Sequence, residues 1–539
     1  MKKWQSREGL KELTIALVEY GSVTGSEEEV GIVEFVDHEL RSLPYFQDNG
    51  DHIQTYHTED GRKFVTSLVK STKNTDKTVI VSGHLDVVDV EDYGDWKHLA
   101  FRPREFTKQM EEQYDLLPKA VQNDLNSGEW LFGRGVMDMK AGIALCMSLV
   151  EAAAYGEFDG NILFLGVPDE EVNSTGMRAA VPVLLELKEK YHLKYELVWN
   201  TEPMFAKFPG DDHLYVYQGS LGKMLPGFYC MGEEAHVAEP FSGLNGNFMA
   251  SYITRLIELN PDLSETVENE KTPPPSNLLQ KDLKVDYSVQ IPHKAVSVFN
   301  LFTMKKSSEE ITNQLLHLAK KAAEQITIEY RAKEAAFVDS PGYSVKERKI
   351  TVLSYQELWE YALKKVGNEE LNRRLSRVLA TVSGDDREKS YQIVNEISTI
   401  CKELAPMIVL YYSPPYYPAV CSASNELIKG LSEELEKLTN EVMKEELTVI
   451  KYFPGLSDLS YLSLTEGTSG LSPLTKSMPL WEISYDIPLE EIEELNVAVM
   501  NFGPVGKDPH RWTERLNISK SFTDIPKIVK LGIRYIFSN

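Results

Sequence analysis

Residues 78–88 read TVIVSGHLDVV, a short β-branched apolar run followed by a glycine, a histidine and an aspartate. Two later stretches have the same form. Residues 161–171, NILFLGVPDEE, and 195–203, YELVWNTEP, each pass from a continuous apolar run into an acidic turn. Strands that are apolar at successive positions are covered on both faces, whereas half-exposed strands alternate. Helical patterns lie between them, at 140–154 (rich in Ala, Leu and Met) and at 177–191. Buried strands alternating with helices predict an α/β fold, with a mainly parallel mixed sheet flanked by helices. In such sheets the ligand crevice lies at the carboxyl ends of the strands, which is where these acids and histidines fall.

Outward from this core, Ser26 and Glu29 have capping-box spacing before a helix, and Asp60-Gly61 marks a hairpin between strands at 53–58 and 64–69. After Asp211 the texture changes. A glycine-interrupted strand pair (213–234), a helix (247–259), strands within 285–304, a helix (307–323) opened by Ser307 and Glu310, and a strand-like 326–330 suit a small inserted α+β domain. From about 345 to 445 the pattern is mainly helical, interrupted by YYSPPYYPA at 411–419. That loop reads as a packing and turn feature, with an aromatic wall over a substrate as the rival reading. The expected division is a first α/β segment at 1–213, an inserted domain at 214–335, and a second segment of the α/β domain at 336–539 that includes the helical extension.

Composition narrows the classes of function. The 539 residues carry 57 Lys plus Arg against 82 Asp plus Glu, a formal net charge of −25. That balance repels phosphate backbones and anionic lipid, so neither nucleic acid nor a membrane surface is an expected partner. The four cysteines are too few and too scattered for a disulfide framework or a CxxC metal site. The first residues lack the apolar stretch of a secretory signal, and no apolar run reaches the ~18 residues of a membrane span. The expectation is a cytoplasmic protein.

The candidate chemistry lies in His84 and Asp86, Asp138 in GRGVMDMKAG (133–142), Glu170 and Glu171, Glu202, and His510 with Glu514 near the end of the chain. Taken singly, each has a plainer explanation: a polar turn, a helix N-cap, an acidic first helical turn, a surface histidine. Together and in order, they would place several carboxylates around two imidazoles. Such a group repels itself unless a cation sits within it, and a hydrolytic site with two divalent ions supplies both the charge and an activated water.

These segments resemble the M20 family of metallopeptidases and amidohydrolases. The matching stretches are His84-Leu85-Asp86, Arg134-Gly135 through Asp138 to Lys140, Glu170-Glu171 followed by Ser174-Thr175-Gly176, then Glu202 and His510. The resemblance implies a zinc-peptidase-like catalytic domain with an inserted, ferredoxin-like lid or dimerisation domain. It implies two divalent metal ions, Zn²⁺ foremost with Mn²⁺ or Co²⁺ as alternatives, bridged by Asp138. His84 and Glu202 would complete one ion, and Glu171 with His510 the other. Asp86 would orient His84, and Glu170 would be the general base. A cis peptide is expected after Asp138. In the lid, Gly232–His236 with Pro240 and Gly243–Asn245 resembles the stretch whose histidine stabilises the oxyanion in a partner's site, a role that would fall to His236. That reading allows a homodimer through the lid; its rival is a loop histidine without a role.

Two departures stand out. The lid strand reads Val298-Phe299-Asn300-Leu301, without the arginine that many members use to hold a substrate carboxylate. Pro454–Asp458 resembles the family's GTSD turn, with Leu456 in place of threonine. The long extension is most like that of members associated with arginine utilisation. The expected function is cleavage of an amide bond in a small peptide or N-acyl amino acid, in arginine or related catabolism. The alternatives are a non-catalytic ligand-binding protein on the same scaffold and a single-metal aminopeptidase.

Overall fold

The computed structural model describes residues 2–208, 210–337 and 347–539. The expected start of the extension, near 345, lies outside these residues. The chain divides into two compact units, one of residues 1–221, 420–464 and 488–539, the other of residues 222–419 and 465–487.

The first unit is built on an eight-stranded mixed sheet in the order Ile53–His57, Lys63–Val69, Asn161–Val167, Lys77–His84, Lys194–Asn200, Val499–Asn501, Leu214–Tyr217, Leu447–Ile450. The three continuous apolar runs lie at the middle of this sheet: Lys77–His84 pairs in parallel with both Asn161–Val167 and Lys194–Asn200. Helix Ala141–Ala154 is buried along nearly its whole length, including Glu151. That carboxylate accepts the main-chain amides of Lys3 and Trp4, which ties down the N-terminal segment. Helix Glu27–Arg41 starts at Ser26, whose hydroxyl accepts the Glu29 amide. The expected capping box is only half formed, because the Glu29 carboxylate turns to the Gly25 amide instead.

The second unit carries a five-stranded sheet in the order Ser276–Asp282, Lys294–Thr303, Gly222–Met231, Met407–Tyr417, Thr351–Ser354. Three findings differ from expectation. Leu214–Tyr217 belongs to the first unit, because it pairs in parallel with Leu447–Ile450. Residues 347–419 belong to the second unit, because Met407–Tyr417 adds to its sheet, antiparallel to Gly222–Met231. The sequence hides this strand because prolines 414 and 415 donate no ladder hydrogen bond, and the register indeed breaks between Ser413 and Tyr417. Finally, residues 326–330 are not a strand. They continue one helix, Ser308–Phe337, whose buried positions Ile311, Leu315, Ala319, Ala322, Ile326 and Tyr330 keep a helical period. Among the described residues, no helix is long and apolar enough to cross a membrane.

The helix has a direct test. Ile326 is 0% exposed and Ile328 is 69% exposed, whereas a strand would put both on one face. Denaturant titration should show Ile326→Ala losing about 2–5 kcal/mol of stability, with Ile328→Ala within about 0.5 kcal/mol of the parent. Equal losses would contradict the helix.

Candidate metal centre

Three neighbouring parallel strands deliver the first ligands. His84 ends Lys77–His84, Glu170 and Glu171 follow Asn161–Val167, and Glu202 follows Lys194–Asn200. Asp138 comes from the turn before helix Ala141–Ala154, and its peptide bond to Met139 is cis, as the resemblance implied. His510 sits between the short strands Gly506–Lys507 and Arg515–Asn517. The helix approaches the Glu202 loop so closely that a Cβ on Gly142 would lie 2.4 Å from the Thr201 carbonyl oxygen. Only glycine fits there.

The two oxygens of Asp138 face different imidazoles. Its Oδ1 is 3.1 Å from His84 Nε2, and its Oδ2 is 3.2 Å from His510 Nε2. His84 Nε2 also lies 3.4 Å from Glu202 Oε1 and 4.0 Å from Glu170 Oε2. His510 Nε2 lies 3.2 Å from Glu171 Oε2. The structure therefore brings together all five expected metal ligands and the expected base. His236 belongs to the second unit, where its Nδ1 accepts the Ala238 amide at 3.1 Å.

Buried groups hold this arrangement from behind. His84 Nδ1 lies 3.0 Å from the Asp86 main-chain oxygen and 3.5 Å from an Asp86 carboxylate oxygen. An N–H on Nδ1 leaves Nε2 with its lone pair aimed into the site. The carboxylate has further work: it accepts the Thr24 hydroxyl at 2.8 Å and the amides of Glu170 and Glu171 at 3.2 and 3.3 Å. Lys140 is fully buried and donates to Ser22 Oγ at 2.5 Å and to the Leu85 carbonyl. Glu514 fixes the Asp138 turn. Its Oε1 accepts the amides of Met137 and Asp138 at 3.1 and 3.3 Å, while its Oε2 pairs with buried Arg134 at 2.9 Å. Trp96, from the sequence between the first two motifs, packs on Trp512 beside His510, with ring centroids 5.5 Å apart.

The electrostatics show what the site requires. Burial pushes Glu170 and Glu202 well above the ordinary glutamate range, and their acidic neighbours add to the push. Glu171 is raised by burial and by Asp138. His510 rises to about 11: burial opposes this, but its hydrogen bonds to Asp138 and Glu171 overcome it. Asp458, from the GTSD-like turn, is pushed to about 7 by burial; Ser174 pulls the other way, and Asp86 and Asp169 reinforce the rise. In protein alone, protons must supply the positive charge these carboxylates lack.

A divalent cation can supply it instead, and the donors suit one. His84, Glu170 and Glu202 offer ligand atoms mutually within 4.8 Å, as do His84, Asp138 and Glu171. Glu171 Oε1 is buried with no hydrogen-bond partner among the described residues, a donor left over for a metal. The sequence motifs give Glu514 no role, since a buried ion pair between segments as distant as Arg134 and Glu514 leaves no local pattern.

The sequence profile of peptidase family M20/M25/M40 matches residues 80–486. This chain is a member of that family. It is accordingly a hydrolase that acts on amide bonds. It is 47% identical over 532 residues to the uncharacterized protein YqjN of Bacillus subtilis (strain 168), covering 98% of this chain and 96% of that one. It is 31% identical over 541 residues to protein RocB of the same organism, covering 97% and 94%. An M20 family metallo-carboxypeptidase from Sulfolobus solfataricus, Sso-CP2, shares the fold with a TM-score of 0.54 at 11% identity, covering 98% of this chain and 99% of that one.

If this M20/M25/M40 site is organised by cations, a chelator should lower the midpoint of thermal unfolding and Zn²⁺ should restore it. At a hundred times Kd, the restored stability is about 2.7 kcal/mol. A melting curve indifferent to chelator and Zn²⁺ would count against the cation.

Proposed function

We propose that the protein is a two-cation hydrolase that cleaves an amide bond of a small peptide or N-acyl amino acid, in arginine or related amino-acid catabolism. The observation that carries this is the position of Asp138, with one oxygen toward His84 and the other toward His510. In this reading His84, Asp138 and Glu202 hold one ion, and Asp138, Glu171 and His510 the other. Nitrogen and oxygen donors of this kind suit Zn²⁺, with Mn²⁺ or Co²⁺ as alternatives. Bound ions would polarise the scissile carbonyl and make the attacking water more acidic.

The chain's own residues do the rest. Glu170 takes a proton from the attacking water and returns it to the leaving amine. Its buried carboxyl, among acidic neighbours, is biased toward holding that proton between the two transfers. Asp86 fixes the ring of His84 and the amides on which Glu170 and Glu171 turn. The arginine-related setting rests on the resemblance of the motifs and of the long extension; a cytoplasmic location rests on the composition. A homodimer through the second unit, with His236 stabilising the oxyanion in the partner's site, is supported by the exposed edge strand Ser276–Asp282.

A second assignment of Glu170 has its own support, since its carboxylate falls within ligand reach of His84 and Glu202. One variant separates the two roles. Glu170→Gln should keep two cations by elemental analysis and lose about 10²–10⁴-fold in kcat. The substrates would be N-acyl-arginine, N-acyl-ornithine and dipeptides, with Zn²⁺, Mn²⁺ or Co²⁺ supplied. Loss of a cation would make Glu170 a ligand, and undiminished turnover would remove it as the base.

A further inference from the structure

The hairpin turn at Asp60-Gly61 joins the edge strand Ile53–His57 to its neighbour Lys63–Val69 and has no part in the roles above. The next residue, Arg62, reaches inward. Its Nη1 lies 2.6 Å from Asp169 Oδ1 and 3.6 Å from Glu29 Oε1, both on buried side chains. Its Nε and Nη2 hold Asp60 Oδ2 at 2.9 and 2.5 Å, and Nη2 lies 3.4 Å from the Thr175 hydroxyl.

Asp169 immediately precedes Glu170 and adopts φ +69°, a left-handed conformation uncommon for a residue with a side chain. It closes the turn around itself. Its main-chain oxygen accepts the amides of Ser174 and Asn173 at 2.6 and 3.2 Å, and its Oδ2 accepts the Thr175 amide at 3.0 Å. On the other side, the Asp86 carboxylate accepts the amides of Glu170 and Glu171. The turn that presents these two glutamates is thus held by an anion on one side and a guanidinium on the other. A planar fork engages Asp169 and Asp60 with donors held in one fixed plane, a geometry a lysine ammonium does not reproduce. Without the fork, Asp169 would be a buried carboxylate beside other acids, with every incentive to rearrange.

We propose that Arg62 is a positioning residue: through Asp169 it fixes the 169–175 turn, and so sets cation binding by Glu171 and proton transfer by Glu170. The proton-transfer half rests on the hydrolase reading above; the hold on the turn does not.

The test uses the full chain and three readouts: hydrogen exchange at 169–175, Zn²⁺ titration, and hydrolysis of the same substrate panel. In Arg62→Ala, exchange at 169–175 should rise about tenfold with the central strands unchanged. Zn²⁺ affinity and kcat should each fall about 10–100-fold, as for other groups that orient metal ligands, with KM within about twofold. Added guanidinium should recover much of the loss, and Arg62→Lys should fall between. Unchanged exchange in the turn overturns the proposal, as does faster exchange with affinity and kcat within twofold of the parent. If the parent cleaves none of the panel, the proposed substrate class fails, and exchange and Zn²⁺ titration still decide the role of Arg62. Should Arg62→Ala not fold, Arg62→Lys and Asp169→Asn provide the same comparison.

Discussion

Like charges brought together in a place with little water govern this molecule. Asp86, Asp138, Glu170, Glu171 and Glu202 converge at the ends of adjacent strands, where burial alone would drive most of them to hold protons. Two imidazoles answer part of that charge, one on each oxygen of Asp138. The remainder calls for a cation, and a carboxylate oxygen of Glu171 is left to receive it. Chemistry and stability meet in the same few side chains.

The apparatus that holds those side chains is itself charged. Glu514 is buried yet pinned by Arg134, and so can fix two amides of the Asp138 turn. Lys140 bonds to the carbonyl between His84 and Asp86. Its ammonium is drawn down to about 7 by burial, against the pull of Asp86 and Glu29. Each such group is tolerable only because its partner is in place, so removing one partner leaves a buried charge unmatched. The ligand positions therefore depend on residues far outside the sequence motifs.

Much of this could be read from the sequence. The apolar runs before His84, Glu170 and Glu202 are continuous because both faces of their strands are covered, and the acids follow at the ends that a parallel sheet opens to ligand. Elsewhere local pattern misled. Residues 326–330 look β-branched and aromatic in isolation, but Ile326 and Tyr330 continue the buried stripe begun at Ile311. Prolines 414 and 415 disguise a strand whose pairing is supplied by residues almost two hundred positions earlier. Arg62 carried no signal, because its partners Asp169 and Glu29 meet it only in the folded chain.

The first unit is assembled from three stretches, and its central strand Lys194–Asn200 takes Val499–Asn501 as a neighbour. During synthesis the growing chain therefore carries an incomplete sheet until residues 499–501 emerge. Until then one edge of Lys194–Asn200 lacks its partner, on a strand whose Leu197, Val198 and Trp199 are all fully buried in the finished fold. An unpaired apolar edge is the kind of surface on which nascent chains associate wrongly.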